Sequence, residues 1–213
     1  MMRVRASFSA LLVMALATPA AAAADPVART DALVNALKAV KAKPKGSAEP
    51  LSDADRKANT AAFLTLDAFF DYDRITNEAI APHKEAFAPA DRKKFLVSFR
   101  EVIRLVAYPD AGRALGKAKI ELKAGQVHPD EKQADVKMTI RFEGEDADST
   151  ITFHWVAVGG TWKVYDVDFD NESLMKAYQN QFGRILQKEK VEGLMKKLDG
   201  KLDDKRKENV VTP

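Results

Sequence analysis

The chain has 213 residues, 34 Lys+Arg against 31 Asp+Glu for a formal net charge of +3, three histidines and no cysteine. The lack of cysteine excludes disulfides, thiolate metal sites, a cysteine nucleophile and the acylated cysteine of a lipoprotein, so stability has to come from a packed core. A nearly balanced charge gives no footprint for nucleic acid.

Residues 1–24 read as a cleaved secretory signal peptide: Arg3 and Arg5 precede an apolar run over 8–16, and small residues 20–24 precede Asp25. The run is shorter than the ~20 residues a bilayer-spanning helix needs. Removing it takes the basic count from 34 to 32. About 190 residues remain, read as one domain over 25–200 and a charged tail over 201–213.

The first predicted helix covers residues 27–41, with Leu33, Val34, Leu37 and Val40 on one stripe, and ends in the connection "KAKPKGSAEP". Ser52 is placed to cap a second helix, with Asp53 and Asp55 in its first turn and Phe63, Leu66, Phe69 and Phe70 as its apolar stripe. A short helical piece is expected at 77–80, stopped by Pro82. Residues 89–108 form the strongest helical pattern, through Phe95, Phe99, Val102, Ile103 and Val106, with Pro109 expected to end it.

The period then changes to two. Residues 119–127 and 133–143 alternate as strands, the second through Val136, Met138, Ile140 and Phe142. Residues 151–158 and 161–169 flank Gly159-Gly160 and predict a two-residue hairpin. Counting outward from that turn pairs Trp155 with Val164, Phe153 with Asp166 and Ile151 with Asp168. Ser173 is positioned to cap a last helix carrying Leu174, Tyr178, Phe182, Ile185 and Leu186. The fold class is therefore α+β: a curved antiparallel sheet of about four strands covered on one face by helices.

Rings on both walls of one sheet–helix interface either interdigitate as an ordinary core or leave an apolar slot suited to acyl chains. The candidate slot residues are Phe95, Phe99, Ile103 and Tyr108 of the middle helix, Met138 and Ile140 of the second strand, Phe153, Trp155 and Val164 of the hairpin, and Tyr178 and Phe182 of the last helix. His83, His128 and His154 have no metal-ligand spacing, and no Gly-x-Ser-x-Gly elbow, phosphate loop or dinucleotide fingerprint occurs. The enzymatic alternative is an isomerase- or dehydratase-like cavity using Asp166 as a general base, against which stands a structural carboxylate held by an arginine or by backbone donors. The third reading is an interaction module docking through Lys188, Lys190, Lys196 and Lys197, which Glu189 and Glu192 interleave as on a solvated helix face.

The stretch "TWKVYDVDFDNESLMKAYQNQFGRILQKEKVEGLMKKL" resembles the carboxy-terminal signature of the periplasmic phospholipid-shuttle family, MlaC and its toluene-tolerance relatives. The match runs through Trp162, Tyr165, Asp166, Ser173, Tyr178, Gln181 and Phe182, then Leu194 and Leu198. Upstream, "AFFDYDRIT" and "DRKKFLVSFREVIRLVAY" are similar to the family's helix break and middle helix through Asp71, Arg92, Phe95, Phe99 and Tyr108. The chain departs from the pattern at Asn171, where the family has a turn glycine, at Gln179, and in "IAPHKEAF". The resemblance implies a monomeric periplasmic carrier with phospholipid as cargo, handed between an outer-membrane lipoprotein complex and an inner-membrane ABC transporter complex. It implies no catalytic residue, metal or cofactor.

Overall fold

The computed structural model describes residues 25–209 apart from 45, 46, 48, 130 and 131; the signal-peptide reading lies outside the described residues. Helix α1, Pro26–Ala39, starts where Asp25 accepts from the Val27 and Ala28 N–H groups. Helix α2, Asp53–Asp67, starts at Ser52, whose hydroxyl accepts from the Asp55 N–H. Two helices cannot approach closely through bulky residues. Where α1 crosses the helix that carries Gly112, a Cβ on Gly112 would lie 2.7 Å from the Leu37 carbonyl oxygen, which is why glycine stands there.

Helix α3, Tyr72–Ala79, begins earlier than its apolar pattern suggested because Asp71 caps it through the Arg74 N–H; a 3-10 helix over Ala81–Ala86 follows. Helix α4, Pro89–Val102, does not stop at Pro109. It passes through a π-helical segment, Ile103–Ala107, into α5, Tyr108–Leu115. The Tyr108 N–H bonds to the Ile103 carbonyl, five residues back. The wider turn accommodates a proline that would crowd the carbonyl four residues before it in a regular helix.

Strands β1, Lys119–Val127, β2, Gln133–Arg141, β3, Ser149–Val158, β4, Thr161–Phe169, and β5, Glu172–Ser173, form one antiparallel sheet in that order. The short β5 is one strand more than the sequence suggested. Gly159 and Gly160 have φ of 57° and 76°, the values a two-residue hairpin turn demands. The register runs as counted from Val158–Thr161 to Trp155–Val164 and then slips. One extra residue on β4, Tyr165, forms a bulge, so Phe153 faces Val167 and Ile151 faces Phe169. Asp166 and Asp168 pair instead with His154 and Thr152, correcting their expected placement beside Phe153 and Ile151.

Ala134, Val136, Met138, Ile140 and Trp155 are completely buried on the inner face of the sheet. The α2–α3 turn reaches the sheet directly: the Val164 N–H donates to the Phe69 carbonyl at 2.7 Å and the Asp71 N–H to the Val164 carbonyl at 2.9 Å. A second core joins α3, α4 and the last helix around Phe95, Phe99 and Phe182. Helix α6, Leu174–Asn209, extends through most of what composition marked as a charged tail, with Leu202 buried.

Helix α6 breaks at Lys190, whose φ of 60° and ψ of −171° lie in a region essentially reserved for glycine. The break turns the chain so that Asp199 meets Lys94 and Arg206 meets Glu101, both on α4. Lys190→Gly is expected to stabilise the protein by about 1 kcal/mol by relieving this strain. The check is a higher urea midpoint at unchanged slope; a lower midpoint would count against the strain assignment.

Candidate functional site

Between the inner face of the sheet and the helices lies a cavity of about 410 Å³. That is within the ~300–1,000 Å³ typical of ligand pockets. One wall is the sheet, through Met138, Phe142, Ile151, Phe153, Val164, Val167 and Phe169. The opposite wall is the π segment and α5, through Ile103, Ala107, Tyr108, Ala111, Ala114 and Leu115. Leu37, Phe70 and Ile75, with Leu174, Met175 and Tyr178 from α6, add to the lining, and Asp110, Tyr165 and Asp166 also border it. The cavity reaches the surface where Phe169 and Leu174 are 40 % and 45 % exposed.

The floor is polar on its far side only. Tyr108 presents its ring to the cavity while its hydroxyl bonds to that of Tyr72, and both hydroxyls lie 3.2 Å from Asp67 Oδ1. Arg104 Nε meets Asp67 Oδ2 at 3.1 Å. Burial pushes both tyrosine hydroxyls well above their ordinary range, so they stay protonated and serve as fixed hydrogen-bond partners. The cluster ties α2, α3, the π segment and α5 together behind the cavity.

Of the residues expected to line a slot, Ile103, Tyr108, Met138, Phe153, Val164 and Tyr178 border the cavity. Phe95, Phe99, Phe182, Ile140 and Trp155 do not. Phe95, Phe99 and Phe182 pack against one another with ring centroids 5.1–5.5 Å apart, filling the space between α4 and α6. Ile140 and Trp155 are buried in the core elsewhere on the sheet. Tyr178 belongs to both sets, 4.9 Å from Phe99 on one side and bordering the cavity on the other. The lining alanines of α5 were missed because Pro109 was read as a helix end. A helix continued through "PDAGRAL" would have placed Ala111 and Ala114 on a common face.

Asp166 borders the cavity, yet both carboxylate oxygens are occupied. Oδ1 accepts from the Val167 N–H at 2.8 Å and the Met175 N–H at 3.0 Å, and Oδ2 accepts from the Ser173 hydroxyl at 2.6 Å. It locks the turn that joins β4 to α6, which is the structural role weighed against catalysis. Among the described residues no group of three or more His, Cys, Asp or Glu is placed to hold a metal ion, and no helix is long and apolar enough to cross a membrane.

The outer face of the sheet carries a separate charged cluster. His154 Nδ1 lies 2.7 Å from Asp135 on β2, and its Nε2 lies 3.1 Å from Asp168 on β4; His128 meets the other Asp135 oxygen at 3.0 Å, and the Tyr165 ring lies beside the imidazole. Burial alone would lower the His154 pKa, but the hydrogen bonds to Asp135 and Asp168 outweigh it, and the net effect is a rise above the ordinary histidine value of 6.5. Only the imidazolium can donate at both nitrogens. A raised folded-state pKa gives stability that is fully present below the unfolded value and is lost as pH rises through the folded value. Wild-type protein is therefore expected to lose stability as pH climbs from about 6.5 into the alkaline range, and His154→Gln to flatten that slope. Urea midpoints measured across this range check it; parallel slopes would remove His154 from the account.

The fold and the site define an α+β protein whose antiparallel sheet and helices enclose a cavity lined mainly by apolar side chains. The family model described as MlaC protein matches residues 30–200, and the chain belongs to the MlaC family. A solved structure, the phospholipid-binding protein from Ralstonia solanacearum in complex with a phospholipid, is similar with a TM-score of 0.63 and 21 % sequence identity, covering 86 % of this chain and 100 % of that one. No curated protein matches.

Proposed function

We propose that the protein is a phospholipid carrier of the periplasm, holding acyl chains in the cavity between sheet and helices and passing lipid between an outer-membrane lipoprotein complex and an inner-membrane ABC transporter complex. The observation that carries this reading is the cavity of about 410 Å³ with apolar walls and an exposed apolar rim at Phe169 and Leu174. The phospholipid bound to the similar Ralstonia solanacearum structure supports it. Burial of each methylene contributes about 0.8 kcal/mol, so chains in such a cavity offset most of the cost of leaving a bilayer without any covalent step. The saturated hydrogen bonding of Asp166 counts against the isomerase- or dehydratase-like alternative. The signal-peptide pattern of residues 1–24 supports export.

Native purification followed by organic extraction and mass spectrometry tests the reading. Stoichiometric phospholipid is the expected result. An empty protein that turns over a small carbonyl substrate would overturn it in favour of chemistry at Asp166.

A further inference from the structure

We infer that the His154–Asp168 pair on the outer face of the sheet is a proton-operated latch on the mouth of the cavity, holding it closed while the imidazole is charged and loosening it when the proton leaves; this rests on the carrier reading above. The link is one of position. Asp168 pairs with Ser173 in the ladder between β4 and β5, and the two exposed residues at the mouth, Phe169 and Leu174, each follow one member of that pair. On the other side of β4 the Asp168 carboxylate lies 3.1 Å from Nε2 of His154 on β3, and Nδ1 of the same ring lies 2.7 Å from Asp135 on β2. Charged His154 therefore fastens the mouth end of β4 to β3 and β2 through side chains as well as through the backbone.

The imidazolium donates to both carboxylates, whereas the neutral ring has one N–H and one lone pair. The shorter contact, to Asp135, keeps the remaining proton, and the Nε2 lone pair then faces the Asp168 carboxylate. Asp135 has a second partner in His128 at 3.0 Å, but His154 is the only side-chain partner of Asp168 among the described residues. The other groups around the ring do not take over its task. The Tyr165 ring beside it lies under the Arg74 guanidinium at 3.6 Å, and Asp166, opposite His154 in register, is occupied by Val167, Ser173 and Met175. Lys137 and Lys163 stand opposite Thr152 and Val156, and neither is in an ion pair among the described residues. Against the cost of burial, the bonds to Asp135 and Asp168 raise the His154 pKa above 6.5, so the latch opens on the alkaline side of that value. The backbone ladder between β3 and β4 remains, and proton loss relaxes the last pairs at the mouth without unzipping the sheet.

The test is the rate of lipid release against pH. Protein loaded with phosphatidylethanolamine carrying a fluorophore on its head group is mixed with excess phosphatidylcholine vesicles, whose head group does not titrate in the neutral range, and transfer is followed by fluorescence. A single partly exposed ion pair changes such a rate by a few fold, so release about fivefold faster at about pH 9 than at about pH 6 is expected. The midpoint should lie above 6.5 and coincide with the titration of the His154 ring followed by nuclear magnetic resonance, which a merely structural histidine would not match. His154→Gln and Asp168→Asn should each release at the fast rate throughout. A wild-type rate that does not change with pH, or a pH profile that survives His154→Gln, overturns the latch while leaving the carrier reading intact. Protein that cannot be loaded with the lipid overturns the carrier reading and the latch with it.

Discussion

Ala111→Trp is expected to empty the protein of lipid while leaving it folded. Ala111 lies on α5 and faces the cavity, half-buried, so an indole at this position projects into space that the fold does not otherwise fill. The same substitution at Val164 would act on a completely different footing. Val164 is 1 % exposed, pairs with Trp155 across the hairpin and is bonded through its backbone to Phe69 and Asp71. Overpacking there would force the sheet itself, at about 1–3 kcal/mol or more. At Ala111 the added volume meets cavity first, and the stability change should stay near the lower end of that range. Copurified lipid falling to a small fraction of the wild-type load, with a thermal midpoint within a few degrees, is the expected pair of results. A full lipid load in a folded Ala111→Trp protein would place the cargo elsewhere.

Phe99→Ala is expected to do the reverse, lowering stability by about 3–5 kcal/mol while the folded fraction keeps its lipid. Phe99 is 1 % exposed and stacks or packs edge-on against Phe95, Tyr178 and Phe182 at 4.9–5.5 Å. It does not border the cavity. Its removal leaves a hole between α4 and α6 that the surrounding rings fill poorly, and such holes add a cavity term to the lost burial. Denaturant unfolding and lipid content measured on the same preparation separate the two effects. Loss of lipid in proportion to loss of ring, with stability unchanged, would show that the aromatic cluster is itself the binding wall.

The contrast between these two positions also marks where residue pattern could be read as structure. Strands β1 and β4 have the bounds that alternation suggested, although each carries a bulge that alternation does not show. The rings of α4 and α6 were legible as a meeting of two apolar stripes. Whether such stripes close on each other or stand apart depends on a third element, and here it is α5 with the π segment that holds a space open beside the sheet. Nothing in the residues 103–109 signals a π turn; Pro109 on its own is the ordinary mark of a helix end. Tyr165 likewise bears no sign of being a bulge. Its position follows from contacts distant in sequence, the bridge between Phe70 and Val164 and the capping of α6 by Asp166. The lining alanines were invisible for a related reason, since small residues mark a cavity only when it is known what lies opposite.

The π segment, the bulge at Tyr165 and a second bulge in β1 between Leu122 and Gly125 share a property that concerns the length of the chain rather than its composition. Each takes in one residue more than its regular neighbour needs: Ile103–Ala107 in a helix, one residue between Leu122 and Gly125 against Met138 and Val136, and Tyr165 against the step from His154 to Trp155. An insertion absorbed in this way keeps the hydrogen-bonding ladder going while it resets the phase of everything that follows. Deleting one residue at any of the three sites would cost little in secondary structure, yet it would rotate Tyr108 off its partners or turn Phe153 and Val167 onto opposite faces. In a lineage of such proteins, gaps in alignment at the π segment or at Tyr165 would therefore mark changes in the shape of the space between sheet and helices.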